Sequence, residues 1–114
     1  MKAPTVWVVK EQLVRNSIGS EVIDYTPAAP YGDIRFITVN DIPLHQNSGI
    51  TSRWFTDVAT FAVEYDTSRD FIIATGQPTA IFAVGHALGL MQKNPRFLVW
   101  RREENRYRVL DVYQ

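Results

Sequence analysis

The sequence predicts a small α/β sandwich built on a mixed, mainly parallel sheet. Three observations carry that reading. Two segments place apolar residues at spacings of three and four, which is the signature of helices laid on a core. Short runs rich in β-branched and aromatic residues alternate with them. The last two such runs pair back on each other through Glu103, Glu104 and Asn105, a hairpin turn.

Residues 5–10, Thr-Val-Trp-Val-Val-Lys, form the first predicted strand. About two dozen residues of weak periodicity follow, and two prolines and a glycine within residues 25–33 mark them as a long loop, with a short helical turn allowed at residues 11–15. Loops of this length tend to be functional or mobile. Residues 34–39 form a second strand with Ile34, Phe36 and Ile37 as inward candidates, and residues 40–43, Asn-Asp-Ile-Pro, end it by turn chemistry. A helix then starts near Thr51 or Ser52, either of which can cap its free amides. It carries Trp54, Val58, Phe61, Ala62 and Tyr65 as one apolar stripe and Arg53, Asp57, Thr60 and Glu64 opposite.

Residues 71–74, Phe-Ile-Ile-Ala, are continuously apolar, as suits a central strand covered on both faces. A glycine turn leads to a second helix with Pro78 at its first position, where a missing N–H costs nothing, running to Leu90. Residues 96–100 and 107–112 make the closing antiparallel hairpin. The order is β-β-α-β-α-β-β in a single domain spanning residues 1–114, resembling a reduced doubly wound fold with parallel strands joined by right-handed crossovers.

With 46% apolar and 21% charged residues, the chain has the composition of a globular protein able to fold without staples. It has no cysteine, which excludes disulfides, thiolate nucleophiles and Cys-ligated zinc and fits a reducing cytoplasm. The apolar run at residues 6–9 is too short for a signal peptide or membrane span, so a soluble, cytoplasmic protein is expected. The net charge is zero but uneven. Residues 93–108 hold six cations against two carboxylates, leaving the remainder at minus four.

Three sites compete. The turn at residues 75–79 lies where open α/β sheets collect ligands, with Thr75, Gly76, Gln77 and Thr79 as the binding residues and a phosphorylated or nucleotide-like molecule as the ligand. It has one glycine and no lysine, so it is neither a P-loop nor a dinucleotide fingerprint.

The second helix has an expected core stripe of Ala80, Ile81, Val84, Ala87, Leu88 and Met91, yet Phe82, His86 and Leu90 lie off it. Gly85 and Gly89 weaken this helix by roughly 1 kcal/mol each relative to alanine, which close packing against another backbone would offset. Either the sheet and the loop at residues 25–33 cover that face, or a partner does, a second copy included.

The third site is the basic hairpin. Arg101, Arg102, Arg106 and Arg108, with Trp100 and Tyr107 to stack, could meet nucleic acid, against the plainer reading of a solvated hairpin with cross-strand ion pairs. Asp24, Tyr25, Tyr31 and Asp33 cluster in the long loop, where Asp33 could act as acid or base or serve only as a turn residue, and where residues 27–30 could run extended toward a partner. His45 and His86 have no carboxylate at metal-like spacing, so no metal or other cofactor is expected. Ser48, His45 and Asp41 lack the G-x-S-x-G elbow that would make them a triad.

The segments VVKEQLVRN, YTPAAPYGDIRFIT, DFIIATGQPTAIFAVGHALG and PRFLVWRREENRYRVL together resemble small uncharacterised proteins of tailed-phage genomes. The resemblance implies an accessory protein made in the host cytoplasm, a class that often acts by binding, and it carries over no catalytic residue. The leading expectation is a non-enzymatic interaction protein with a host or self partner, with a homodimer as one form. The alternatives are a binder or enzyme for a phosphorylated molecule at residues 75–79, and a nucleic-acid binder at the basic hairpin.

Overall fold

The computed structural model describes residues 3–10, 13–16, 19–22, 24–38 and 48–112. Its elements in chain order are β1 (Thr5–Lys10), β2 (Leu13–Asn16), β3 (Gly19–Val22), a 3-10 helix (Thr26–Tyr31), β4 (Asp33–Thr38), α1 (Ser48–Glu64), β5 (Phe71–Ile73), α2 (Pro78–Leu90), β6 (Arg96–Arg101) and β7 (Arg106–Asp111). Five strands make the main sheet in the order β4-β1-β5-β6-β7. The first four run parallel and β7 adds an antiparallel edge, so the α/β class with a mainly parallel sheet and a C-terminal hairpin is what the chain adopts.

The crossovers explain the two faces. From β4 through α1 to β5, and from β5 through α2 to β6, the chain moves in one direction across the sheet, and both helices cover one face. From β1 to β4 it moves the other way, and the 3-10 helix lies on the opposite face. A uniform crossover hand requires this arrangement. Alternation along each strand then feeds two cores. Trp7, Val9, Ile37 and Ile72 meet Trp54, Val58, Phe61, Val84 and Leu88 from the helices. Val6, Val8, Phe71, Ile73, Leu98 and Tyr107 meet Tyr25 and Ala28. β5 is buried on both faces, as its continuous apolar run predicted.

Polar groups anchor the frame. Asp70, only 4% exposed, accepts the Thr5 N–H at 3.0 Å, the Trp7 indole N–H at 3.2 Å and the Asp66 N–H at 3.0 Å. It thereby ties the amino ends of β1 and β5 together. α2 closes in a Schellman turn, in which the Lys93 N–H reaches the Leu88 carbonyl and the Gln92 N–H the Gly89 carbonyl, each at 3.0 Å. That turn delivers the Lys93 ammonium to the end of α1, where it donates to the carbonyls of Ala62, Val63 and Tyr65 at 2.7 to 2.8 Å. α1 has no basic residue in its own last turn, and Lys93 supplies the missing cation from outside.

Several expectations are corrected. The stretch read as loop, with a helical turn at residues 11–15, contains an antiparallel pair in which Leu13 faces Val22 and Asn16 faces Gly19. Asn16 and Gly19 are turn-forming residues that bring two short strands back on each other, which favours the hairpin over a helical turn. Residues 27–30 are not extended. They lie in the 3-10 helix, because burial of Tyr25 and Ala28 against the sheet pins the segment down. Gly32, at φ 154°, follows it, and a Cβ there would overlap the Pro4 carbonyl, so only glycine lets β4 start this close to β1. α1 begins before both proposed caps, Thr51 and Ser52. Phe36 is exposed rather than inward, since β4 is an edge strand and the 3-10 helix covers only part of its face. The turn predicted at residues 40–43 lies outside the described residues, as do His45 and Asp41.

Candidate functional site

α2 owes its position to the core stripe of Ala80, Val84 and Leu88, which is buried, with Ile81 and Ala87 packed at its margins. The sixth expected member, Met91, is 44% exposed, because it is the C-cap and the chain turns away there. The remaining face is open. Phe82 is 81% and Leu90 72% exposed, and His86 between them is exposed as well. A Cβ built on Gly85 or Gly89 meets nothing within 4 Å, so the close backbone packing that would offset those glycines is not made among the described residues. The segment at residues 25–33 does not cover this helix; it lies on the opposite face of the sheet. α1 contributes a second exposed apolar row, Phe55, Ala59 and Val63, four residues apart. The outer surface of the helical layer therefore combines two apolar rows, and α2 contains no Asp, Glu, Lys or Arg.

The turn before α2 is formed by Gly76, Gln77 and Pro78. Gly76 has φ 116°, a conformation that side chains resist. Gln77 is the N-cap residue without a side-chain capping bond, and Pro78 opens the helix. The Thr75 N–H is taken by the Ile73 carbonyl at 3.1 Å, which removes one donor from any anion at this turn. Thr79 is exposed in the first helical turn.

The cationic hairpin is largely internally paired. Arg106 reaches Glu104 at 3.1 Å and Arg108 at 2.5 Å, and Arg101 approaches Glu103 at 3.9 Å. Hydrogen bonds from Arg108 and then Arg106 hold the Glu104 carboxyl down at about 2. Arg102 is exposed in the turn. Tyr107 is not available to stack on a base: it is 7% exposed and meets Trp100 edge to face at 5.0 Å, because the strand register sets them directly opposite. The arginine–glutamate pairs run from the turn to the adjoining strand ends, and the cross-strand ion pair among the described residues is Arg96 with Asp111, opposite each other in register, at 3.1 Å.

One feature was not legible as a site. A cavity of about 640 Å³ opens on the sheet face away from the helices, at the carboxyl ends of β5 and β6. β5 stops at Ile73 and shares a single registered pair with β6, Ile72 opposite Phe97, while β6 runs on to Arg101. The space beyond that pair is lined by Tyr25, Ile73, Leu98, Trp100 and Tyr107, with Asp24 and Thr75 beside them. It includes Thr75 and leaves out Gly76, Gln77 and Thr79. Asp24 and Tyr25 from the loop cluster are thus brought to Trp100 and Tyr107 from the hairpin, whereas Tyr31 sits apart, donating to the Tyr107 carbonyl at 3.2 Å, and Asp33 is the exposed first residue of β4. The Asp24 carboxyl is lowered by hydrogen bonds from the Thr26 hydroxyl and N–H, and burial first, then Tyr25 and Asp24, push the Tyr107 hydroxyl up.

Among the described residues no group of three or more His, Asp or Glu side chains could hold a metal ion, and no helix is long and apolar enough to cross a membrane.

Neither the curated proteins nor the solved structures contain a match to this chain. The model of one protein family, described as Phage Pam3 gp32-like protein, matches residues 4–113. That span takes in every element of the sheet and both helices, and it bears out the likeness to phage proteins carried by the sequence segments. The chain belongs to the Phage Pam3 gp32-like family.

Proposed function

We propose that the protein is a non-enzymatic phage accessory protein, acting in the host cytoplasm, whose working surface is the outer face of α2 and whose first partner is a second copy of itself. The observation that carries this reading is the exposed row of Phe82, His86 and Leu90 flanking two open glycines on a helix with no Asp, Glu, Lys or Arg. A two-fold contact sets each residue against the same surface patch, so a charged helix would repel its own copy. α2 brings no such repulsion, and Gly85 and Gly89 let two helix backbones approach closely.

Size supports extending the contact to α1. α2 is about 20 Å long, whereas a stable interface buries roughly 800 Å² per partner. One helix crossing falls short of that, and Phe55, Ala59 and Val63 provide adjoining apolar surface.

Native mass spectrometry and sedimentation of the full chain at tens of micromolar (roughly the Kd range of a modest interface) test the proposal. The expected result is a dimer that Phe82→Glu converts to a folded monomer. A wild-type chain that stays monomeric at every concentration, or a dimer indifferent to Phe82→Glu, overturns it.

A further inference from the structure

The 640 Å³ cavity beside β5 and β6 is independent of the α2 face and lies on the other side of the sheet. Its volume is in the range of small-molecule sites, and its place at the carboxyl ends of parallel strands is where open α/β sheets take ligands. Its chemistry is one-sided. The walls are aromatic and aliphatic, and among the described residues no Lys, Arg or His lines it. Among the described residues its one carboxylate is that of Asp24, which is exposed and has Oδ1 engaged by Thr26. Asp24, Tyr25 and Tyr107 line the same apolar space.

A phosphate would enter that space without a cation to meet it and opposite a carboxylate. An ammonium would meet the carboxylate and the faces of Trp100 and Tyr25 together. We propose that this cavity binds a small primary amine bearing an aromatic or branched aliphatic group, its apolar part against Leu98, Trp100 and Tyr107 and its ammonium at Asp24. The site class expected at residues 75–79 is thereby moved one strand over, and its ligand changes sign from anion to cation.

Phenethylamine and phenylacetate are near-isosteric probes of opposite charge. In amide-resolved NMR titrations of the full chain, phenethylamine is expected to produce saturable shifts at residues 73–75 and 98–100. Phenylacetate should bind at least about tenfold more weakly, since a single close charge contact at a partly exposed site is worth that order. Asp24→Asn keeps the acceptor for Thr26 and removes the charge, so it should cost phenethylamine a similar factor and leave the unfolding midpoint unchanged. Absence of saturable shifts with phenethylamine, equal binding of the two probes, or an Asp24→Asn variant that binds the amine as well as wild type would each refute the assignment.

Discussion

The Trp7 indole N–H donates to Asp70 Oδ2 at 3.2 Å across 63 residues of sequence, and both partners are buried. The same carboxylate receives two backbone N–H groups, from Thr5 on its other oxygen and from Asp66. A buried carboxylate held only by donors contributes through all of them at once. Asp70→Asn has one acceptor oxygen for three donors, so at least one N–H must face an NH2 group. A loss of about 2 kcal/mol is expected for Asn and about 3 kcal/mol for Ala, read from the urea midpoint at constant m. Trp7→Phe should cost less than Asp70→Ala, because it removes one donor and leaves the backbone donors satisfied.

Lys93 is expected to stabilise the fold although it lies outside both helices. Lys93→Met keeps the stem and removes three charge-assisted donors from the end of α1, for a cost of about 1–2 kcal/mol. Gln92, which sets up that contact, sits at φ 56°. Gln92→Gly should therefore raise stability by roughly 0.5–1 kcal/mol, since glycine adopts this conformation without the Cβ clash. Thermal unfolding of the two variants should move in opposite directions.

Gly85→Ala and Gly89→Ala separate the chain from its assembly. In the single chain both Cβ positions are open, so each substitution should strengthen α2 by up to about 1 kcal/mol. In a dimer that packs α2 on α2, the same methyl groups hold the backbones apart. The expected pair of results is a higher midpoint at dilute concentration and a weaker dimer by sedimentation.

The hairpin makes a prediction about proton binding. Glu104 is held at about 2 by Arg108 and Arg106, below its ordinary value of 4.5. A depressed carboxyl favours the folded hairpin above its unfolded pKa, and that contribution disappears as pH falls from the ordinary value toward 2. NMR of the Glu104 side-chain carboxyl should titrate near 2 in the wild type and move toward 4.5 in the Arg106→Gln, Arg108→Gln double variant. A wild-type midpoint already near 4.5 would mean that the pairs do not persist in water.

At the alkaline end the group to watch is Tyr65, pushed up to about 12 chiefly by burial. Its hydroxyl accepts the Arg96 N–H at 2.9 Å and donates to the Asp70 carbonyl at 3.4 Å. The unfolded chain releases this proton near 10 and the folded chain holds it to about 12, so stability is intact below 10 and falls through that interval. Tyr65→Phe should lower stability by about 1 kcal/mol at neutral pH, from the unpaired Arg96 N–H, and flatten the alkaline decline.

How much of this was legible follows from which interactions are local. The stripe of Trp54, Val58, Phe61, Ala62 and Tyr65 is buried throughout, and α2 begins at Pro78 and ends at Leu90 as read, because spacing and helix-end chemistry are properties of neighbouring residues. Runs of β-branched residues marked five of the seven strands for the same reason. The pair β2 and β3 was missed: four residues each give too short a pattern, and only the turn residues Asn16 and Gly19 hinted at it. The openness of Phe82, His86 and Leu90 was half legible. The sequence shows that α2 is apolar on more than one face, but only the fold shows that the segment at residues 25–33 goes to the other side of the sheet.

By itself, then, the sequence determined both helices, the five strands of the main sheet, the α/β class, the parallel crossovers and the phage likeness, all of which depend on local periodicity, turn chemistry or pattern. Tertiary structure decided the strand order, the carboxylate clasp of Asp70 on Thr5 and Trp7, the capping of α1 by Lys93, and the meeting of Asp24 and Tyr25 with Trp100 and Tyr107 around one cavity. Those are contacts between residues distant along the chain. Their geometry is set by how a right-handed crossover places one strand beside another, and no window of sequence contains both partners.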